Sequence, residues 1–283
     1  MEYSGRTDLA AEAHRLWRRQ AESTSALPGV RARDEQVKGF SLTSVEILDE
    51  EGARALQKPP GQYYCFQLSA PPRRNDGRFV PAVELLADLI RRCLPPGAET
   101  FLIAALGNPD VTPDALGSLC AEQLLVTRHL SGDPLFASLR STALARTGVL
   151  GTTGMESAFQ LRALCQDLKP DCLIAIDALA GIEAEELCRS VQVCDAGIAP
   201  GSGVGNDREA LCRESLGVPV IAIGVPTVLD ALSLSGEKAL GSFFVTPRYI
   251  DSAVRELARL IAYGVNLALQ PGLSLADMEM LVE

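Results

Sequence analysis

Two aspartates sit where acid–base chemistry can be built. Asp177 directly follows the apolar run Cys172-Leu173-Ile174-Ala175-Ile176 and precedes Ala178-Leu179-Ala180, a context that shields it from bulk water. An ionised carboxylate in such a place needs a partner or a raised pKa. Asp114 lies in Thr112-Pro113-Asp114, where Thr reads as an N-cap, Pro as the first helical residue and Asp as a charge favoured at the positive helix end. Capping alone accounts for Asp114, whereas Asp177 reads as well functionally as structurally. If the two approach closely, mutual repulsion keeps one protonated and one ionised. The ionised member then takes a proton from water while the other donates to a scissile carbonyl, which is peptide hydrolysis without a covalent intermediate. Paired acids equally suit a divalent cation, and sequence does not separate the two readings.

Other chemistries find weaker support. The stretch Pro200-Gly201-Ser202-Gly203-Val204-Gly205-Asn206 lacks both the Gly-Lys-Ser/Thr ending of a phosphate loop and the spacing of a dinucleotide fingerprint. It reads as a tight turn whose backbone approaches a substrate, or as an anion nest. Asn108, Asp195, Gly201, Ser202, Gly203, Gly205 and Asn206 are accordingly the candidates for contacting substrate. No G-x-S-x-G elbow is present. His14 and His129 both fall in predicted helices, where surface or packing roles account for them. The eight cysteines are scattered without a C-x-x-C pair, so zinc-site spacing is absent and free, buried thiols are expected. No cofactor and no metal are expected.

The elements that must position these residues follow from hydrophobic periodicity. Short apolar runs at 100–106, 172–176 and 218–224 have the length of strands buried on both faces, with a further run at 191–194. Helical patterns alternate with them at 114–130, 156–168, 182–190 and 250–269. This alternation predicts an α/β fold, a mostly parallel sheet flanked by helices, in which ligands gather at the carboxyl ends of the strands. Ahead of it come an amphipathic helix at 8–21, a connector at 27–40, two β-prone stretches at 41–48 and 62–68 that pair at a sheet edge, and a helix around Val83, Leu86, Leu89 and Ile90. One α/β domain over 1–283 is expected, with 1–98 as an N-terminal helix and sheet-edge extension and 99–283 as the core.

Composition narrows the function classes. The 36 Asp and Glu residues outnumber the 26 Lys and Arg, for a formal charge of −10. That balance disfavours nucleic acid and anionic membrane as partners. No apolar run reaches the roughly 18 residues a membrane span needs, and the polar start lacks a signal-peptide core, so a cytoplasmic protein is expected.

Taken together, the blocks Arg6-Thr7-Asp8-Leu9-Ala10, Leu106-Gly107-Asn108, Thr112-Pro113-Asp114-Ala115-Leu116-Gly117 and Leu125-Val126-Thr127-Arg128-His129-Leu130 form a recognisable series. It continues through Gly148-Val149-Leu150-Gly151, Thr153-Gly154-Met155-Glu156, Lys169-Pro170-Asp171, residues 174–180, 200–206 and 216–230, and Phe244-Val245-Thr246-Pro247. In order and extent the series resembles the germination protease of endospore-forming bacteria. The resemblance implies an atypical aspartic endopeptidase that degrades small acid-soluble spore proteins in the spore core, on a fold similar to that of hydrogenase-maturation peptidases. Its two acidic catalytic residues map onto Asp114 and Asp177. A homo-oligomer is expected. The family is made as a zymogen, but only Met1 to Gly5 precede Arg6, so activity is expected not to depend on removing a leader. The family also carries a longer segment between the equivalents of Asp230 and Phe244, Thr and His where this chain has Ala196 and Ala199, and a non-acidic residue at Asp110. Two alternatives therefore stand beside the peptidase: a catalytically silent relative that binds spore proteins, and a metal-dependent maturation peptidase.

Overall fold

The computed structural model describes residues 7–20, 27–205, 208–235 and 243–282. In chain order the elements are α1 (Ala10–Gln20), β1 (Val30–Val37), β2 (Phe40–Ile47), α2 (Glu50–Leu56), β3 (Gly61–Gln67), α3 (Phe79–Cys93), β4 (Thr100–Ala105), α4 (Leu116–Cys120) and β5 (Ser141–Arg146). They continue with α5 (Leu150–Thr153), α6 (Ser157–Leu168), β6 (Cys172–Gly181), β7 (Ser190–Cys194), α7 (Arg213–Leu216), β8 (Val220–Asp230), α8 (Ala231–Ser235), β9 (Phe244–Val245), α9 (Ile250–Leu269) and α10 (Leu275–Val282). One sheet collects the strands in the order β1-β2-β3-β7-β8-β6-β4-β5, with β9 added to β8. The pairs β8–β6, β6–β4 and β4–β5 are parallel, and those from β8 back through β7, β3 and β2 to β1 are antiparallel. The fold is α/β, as the alternating pattern predicted.

Period-two alternation divides β6 between two cores. Cys172, Ile174 and Ile176 face α3, α4 and α9, whereas Leu173 and Ala175 face α6 and α7. α1 and α2 cover the same side as α6 and α7, over the antiparallel half. Asp177 is the next residue in the Leu173, Ala175 row, so the strand itself delivers a carboxylate to a buried face.

The β2 and β3 stretches pair as expected, but β1, expected as a connector, takes the edge, and β3 joins β7 instead. Its sequence Arg31-Ala32-Arg33-Asp34-Glu35-Gln36 hides the strand behind the charges that an exposed edge requires. The helix predicted at 114–130 breaks into a 3-10 turn at Thr112–Asp114, the short α4, an irregular stretch and a second 3-10 turn at Arg128–Leu130 that holds His129. Asn266 of α9 accepts the Leu125 N–H and donates to the Gln123 carbonyl, and Thr127 bonds Thr142 of β5, so tertiary partners replace the helical ladder. The helix predicted at 182–190 is absent. Ile182 and Glu183 donate their N–H groups to Glu12 of α1, and Cys188 takes a left-handed φ of 58°. β6 and β8 also run further than their apolar cores, to Gly181 and Asp230, with a bulge where Leu179–Ala180 faces Pro226 and Val228. Proline is tolerated in a strand at such a bulge.

Six of the eight cysteines are buried and all eight are free, as expected of thiols used as small apolar side chains. Burial pushes the Cys172, Cys188 and Cys194 thiols up to about 12, which makes them inert.

Two contacts fix the parts nearest the expected site, and each yields an expected outcome. Gly107, just past β4, has φ +92°, and a Cβ there would lie 2.0 Å from the Asp114 carbonyl oxygen. Gly107→Ala should therefore cost about 1–3 kcal/mol and displace the Asp114 turn, measurable as a lower midpoint in urea unfolding. Glu12 is fully buried and accepts from Thr7, Ile182 and Glu183. Glu12→Ala leaves two backbone N–H groups without their acceptor, at about 1–3 kcal/mol for each buried one. The same unfolding measurement should show a larger loss for it than for an exposed Glu→Ala substitution.

Candidate active site

The cavity forms where β4 stops and β6 continues. The Leu106 N–H still donates to the Ile176 carbonyl, after which the chain turns away at Gly107 and leaves Asp177 at the end of a covered row. Asp177 is thus inside β6, opposite Gly224 of β8, and not the first residue after a strand as the apolar run suggested. Gly224 adds no side chain there, and Leu179 fills the adjoining space.

Asp114 arrives from the other side of the break. Thr112 does not cap a helix; the residue preceding the 3-10 turn is Val111, and no side chain caps it. The Asp114 carboxylate instead accepts the Asn108 N–H at 2.8 Å, which closes the turn after β4. The helix-capping account of Asp114 therefore fails, because α4 starts only at Leu116 and is five residues long.

Both carboxylates line one cavity of about 470 Å³, together with Asp8, Val111, Gly148, Val149, Arg208, Thr227 and Phe244. Asp177 is 4% exposed and Asp114 half-buried. Burial, and then the charges of Asp114 and Asp8, push Asp177 well above the usual carboxylate range, against a smaller opposing pull from the Ala178 N–H and Arg208. Burial also raises Asp114, with the Asn108 N–H and Arg208 holding it down. The more deeply buried Asp177 is raised further than Asp114.

The expected substrate contacts divide. Gly201 lines this cavity, and Asn108 meets it only through its N–H bond to Asp114. Ser202 donates to Asp8 and lies in a neighbouring cavity of about 740 Å³. Gly203 is pressed against Asp8 and Ala180, leaving no space for a Cβ. Gly205 has φ +78° and open space around it, and Asn206 lies outside the described residues. Asp195 belongs to the neighbouring cavity and accepts the Gln62 N–H at 2.7 Å. Asp195 does not share an edge with Asp177, because β7 is antiparallel to β8 and its carboxyl end points to the opposite edge.

Sequence reasoning did not single out Asp8 or Arg208, which line the cavity. Asp8 was placed at the start of a helix that begins only at Ala10. Thr227 is the extra residue of the bulge in β8. Among the described residues no group of three or more His, Cys, Asp or Glu side chains is arranged to hold a metal ion. No described helix is long and apolar enough to cross a membrane.

Comparison with known proteins agrees with the sequence series. The germination protease family matches residues 8–240. The germination protease of Caldanaerobacter subterraneus subsp. tengcongensis is 37% identical over 325 aligned positions, covering 98% of each chain. The alignment is longer than this chain, so that relative has residues this one lacks. The germination protease of Clostridium perfringens (strain 13 / Type A) is 33% identical over 98% of each chain, and that of Geobacillus sp. is 39% identical over 83% of this chain and 66% of that one. Among solved structures, the NiFe hydrogenase maturation protease HycI from Thermococcus kodakarensis KOD1 aligns with a TM-score of 0.38 at 20% identity, over 64% of this chain and 98% of that one. By the extent of the family match and the identity of these relatives, the chain belongs to the germination protease family and is a peptidase.

Proposed function

We propose that this peptidase is an acid–base endopeptidase that hydrolyses small acid-soluble spore proteins in the spore core, with Asp114 and Asp177 as its catalytic pair. The observation that carries this reading is the shared cavity, in which burial raises Asp177 well above the usual carboxylate range beside a less buried Asp114. Membership of the germination protease family supports the substrate class.

The chemistry follows from that asymmetry. A water held between the carboxyls loses a proton to ionised Asp114 as its oxygen bonds to the scissile carbonyl carbon. Protonated Asp177 gives its proton to the carbonyl oxygen, so a neutral gem-diol forms. On collapse Asp114 returns its proton to the amide nitrogen, the C–N bond breaks, and Asp177 recovers a proton from the diol. The cycle leaves both groups as they began. The Arg208 guanidinium in the same cavity offsets the single negative charge that the pair carries throughout.

Purified protein mixed with a small acid-soluble spore protein, with and without a chelator, tests the reading. Cleavage that survives chelation is expected. Cleavage abolished by chelator would point to the metal-dependent alternative, and a substrate that is bound but left intact to the silent one. Asp177→Asn keeps the shape but cannot move the proton, so activity should fall about a hundredfold or more in a variant that still folds. The rate should follow a bell-shaped pH profile, because the pair works only while it holds one proton. Both limbs should lie above the ordinary aspartate value, since burial raises both groups: the acidic limb follows Asp114, and the basic limb, further displaced, follows Asp177.

A further inference from the structure

The chemistry proposed for Asp114 and Asp177 leaves unused a buried polar side chain in their cavity, that of Thr227. β8 runs in register with β6 up to Pro226, which faces Leu179, and resumes at Val228, which faces Ala180. Thr227 lies between them with no counterpart on β6, an arrangement by which a bulge re-aims a side chain. Its backbone is fixed from both sides. The Cys188 N–H donates to the Pro226 carbonyl at 2.7 Å, and the Thr246 hydroxyl donates to the Thr227 carbonyl at 2.9 Å. The Thr227 hydroxyl, by contrast, has no hydrogen-bond partner among the described residues, although the residue is only 1% exposed. The other two hydroxyls of the lining are both engaged, Thr246 on that carbonyl and Ser157 with the hydroxyl of Thr147.

A buried hydroxyl without a partner is destabilising, and valine fills the same shape without that penalty. Packing therefore does not account for a threonine at this place. A hydroxyl is a neutral donor, suited to an amide carbonyl rather than to a charged group. The lining beside the carboxyls is apolar at Val111, Val149, Val228 and Phe244, and a hydrogen bond made in such surroundings is stronger than one made in water. We propose that Thr227 is a substrate-binding residue of the peptidase: its hydroxyl donates to a main-chain carbonyl of the peptide in the cavity, and so sets how the scissile bond meets Asp114 and Asp177. The inference rests on the reading of that pair given above. Because the contact is to the main chain, it serves every side chain the cavity admits. Because the hydroxyl does not titrate in the range of the carboxyls, it holds the peptide without entering the proton transfer.

Substitutions in the full chain separate this role from a structural one. Thr227→Val removes the hydroxyl and keeps the shape, whereas Thr227→Ser keeps the hydroxyl. With a small acid-soluble spore protein as substrate, Thr227→Val should lower kcat/KM about five- to tenfold, the scale of one hydrogen bond. Thr227→Ser should recover most of that loss. Both limbs of the pH profile should stay at their parental positions. The urea-unfolding midpoint of Thr227→Val should equal or exceed the parental one, the opposite of what a hydroxyl bonded within the protein would give. Thr227→Ala carries the same comparison with Thr227→Ser if the valine variant does not fold. Parental kcat/KM in folded Thr227→Val would overturn the inference. So would a shifted limb, which would assign the hydroxyl to a carboxyl, or a lowered midpoint, which would place its partner within the protein. Asp177→Asn run alongside keeps the two ideas apart. If it cuts at the parental rate, the catalytic pair is wrong; if it is inactive while Thr227→Val is unchanged, only the role of Thr227 is wrong.

Discussion

The burial of one carboxyl group organises this site. A carboxylate left ionised and unpaired on a covered sheet face would cost far more than a domain of this size can spare, so the group neutralises instead. In Asp177 the covered face is made by the apolar row that precedes it, Leu173 and Ala175 under α6 and α7. Everything that shapes the cavity serves to stop that row at the right place. β4 ends, Gly107 turns the chain back over Asp114, and the bulge at Thr227 places that residue of β8 in the cavity lining.

The termination of β4 has a cost, because it exposes the polar edge of β6 in the interior. The N-terminal segment answers it with two carboxylates in place of a strand, Asp8 on Ala180 and Glu12 on Ile182 and Glu183. Burial pushes Glu12 up to about 7, and Arg15, Glu183 and Glu186 continue the network outward. The segment that looks peripheral in sequence is thus part of the wall around the cavity that Asp114 and Asp177 share.

What could be read from sequence follows the reach of each signal. The parallel core was legible because Leu102, Ile103, Leu173, Ile174, Ile221 and Ile223 lie in continuous apolar runs that only strands covered on both faces tolerate. Asp177 was legible as buried for the same reason, although a charged residue read as the end of a strand that in fact continues to Gly181. Asp114 was found by its Thr-Pro-Asp setting and by family likeness, yet the local capping argument was wrong. A helix pattern extended over 114–130 could not anticipate that Asn266, more than a hundred residues away, would claim the backbone of 123–125. The edge strand β1 was hidden by its charges, and Asp8 by its place at the start of an amphipathic pattern. Such long-range hydrogen bonds leave no local period, so no window along the chain reveals them.

The account stands or falls on the protonation of Asp177. Carboxyl carbon NMR of the aspartate-labelled protein, titrated across the acidic and neutral range, reads it directly. The account predicts one aspartate resonance that keeps the shift of the protonated acid well above the range of the others and is missing from Asp177→Asn. A spectrum in which every aspartate ionises in the ordinary range, with none lost from the upper end in that variant, would contradict it.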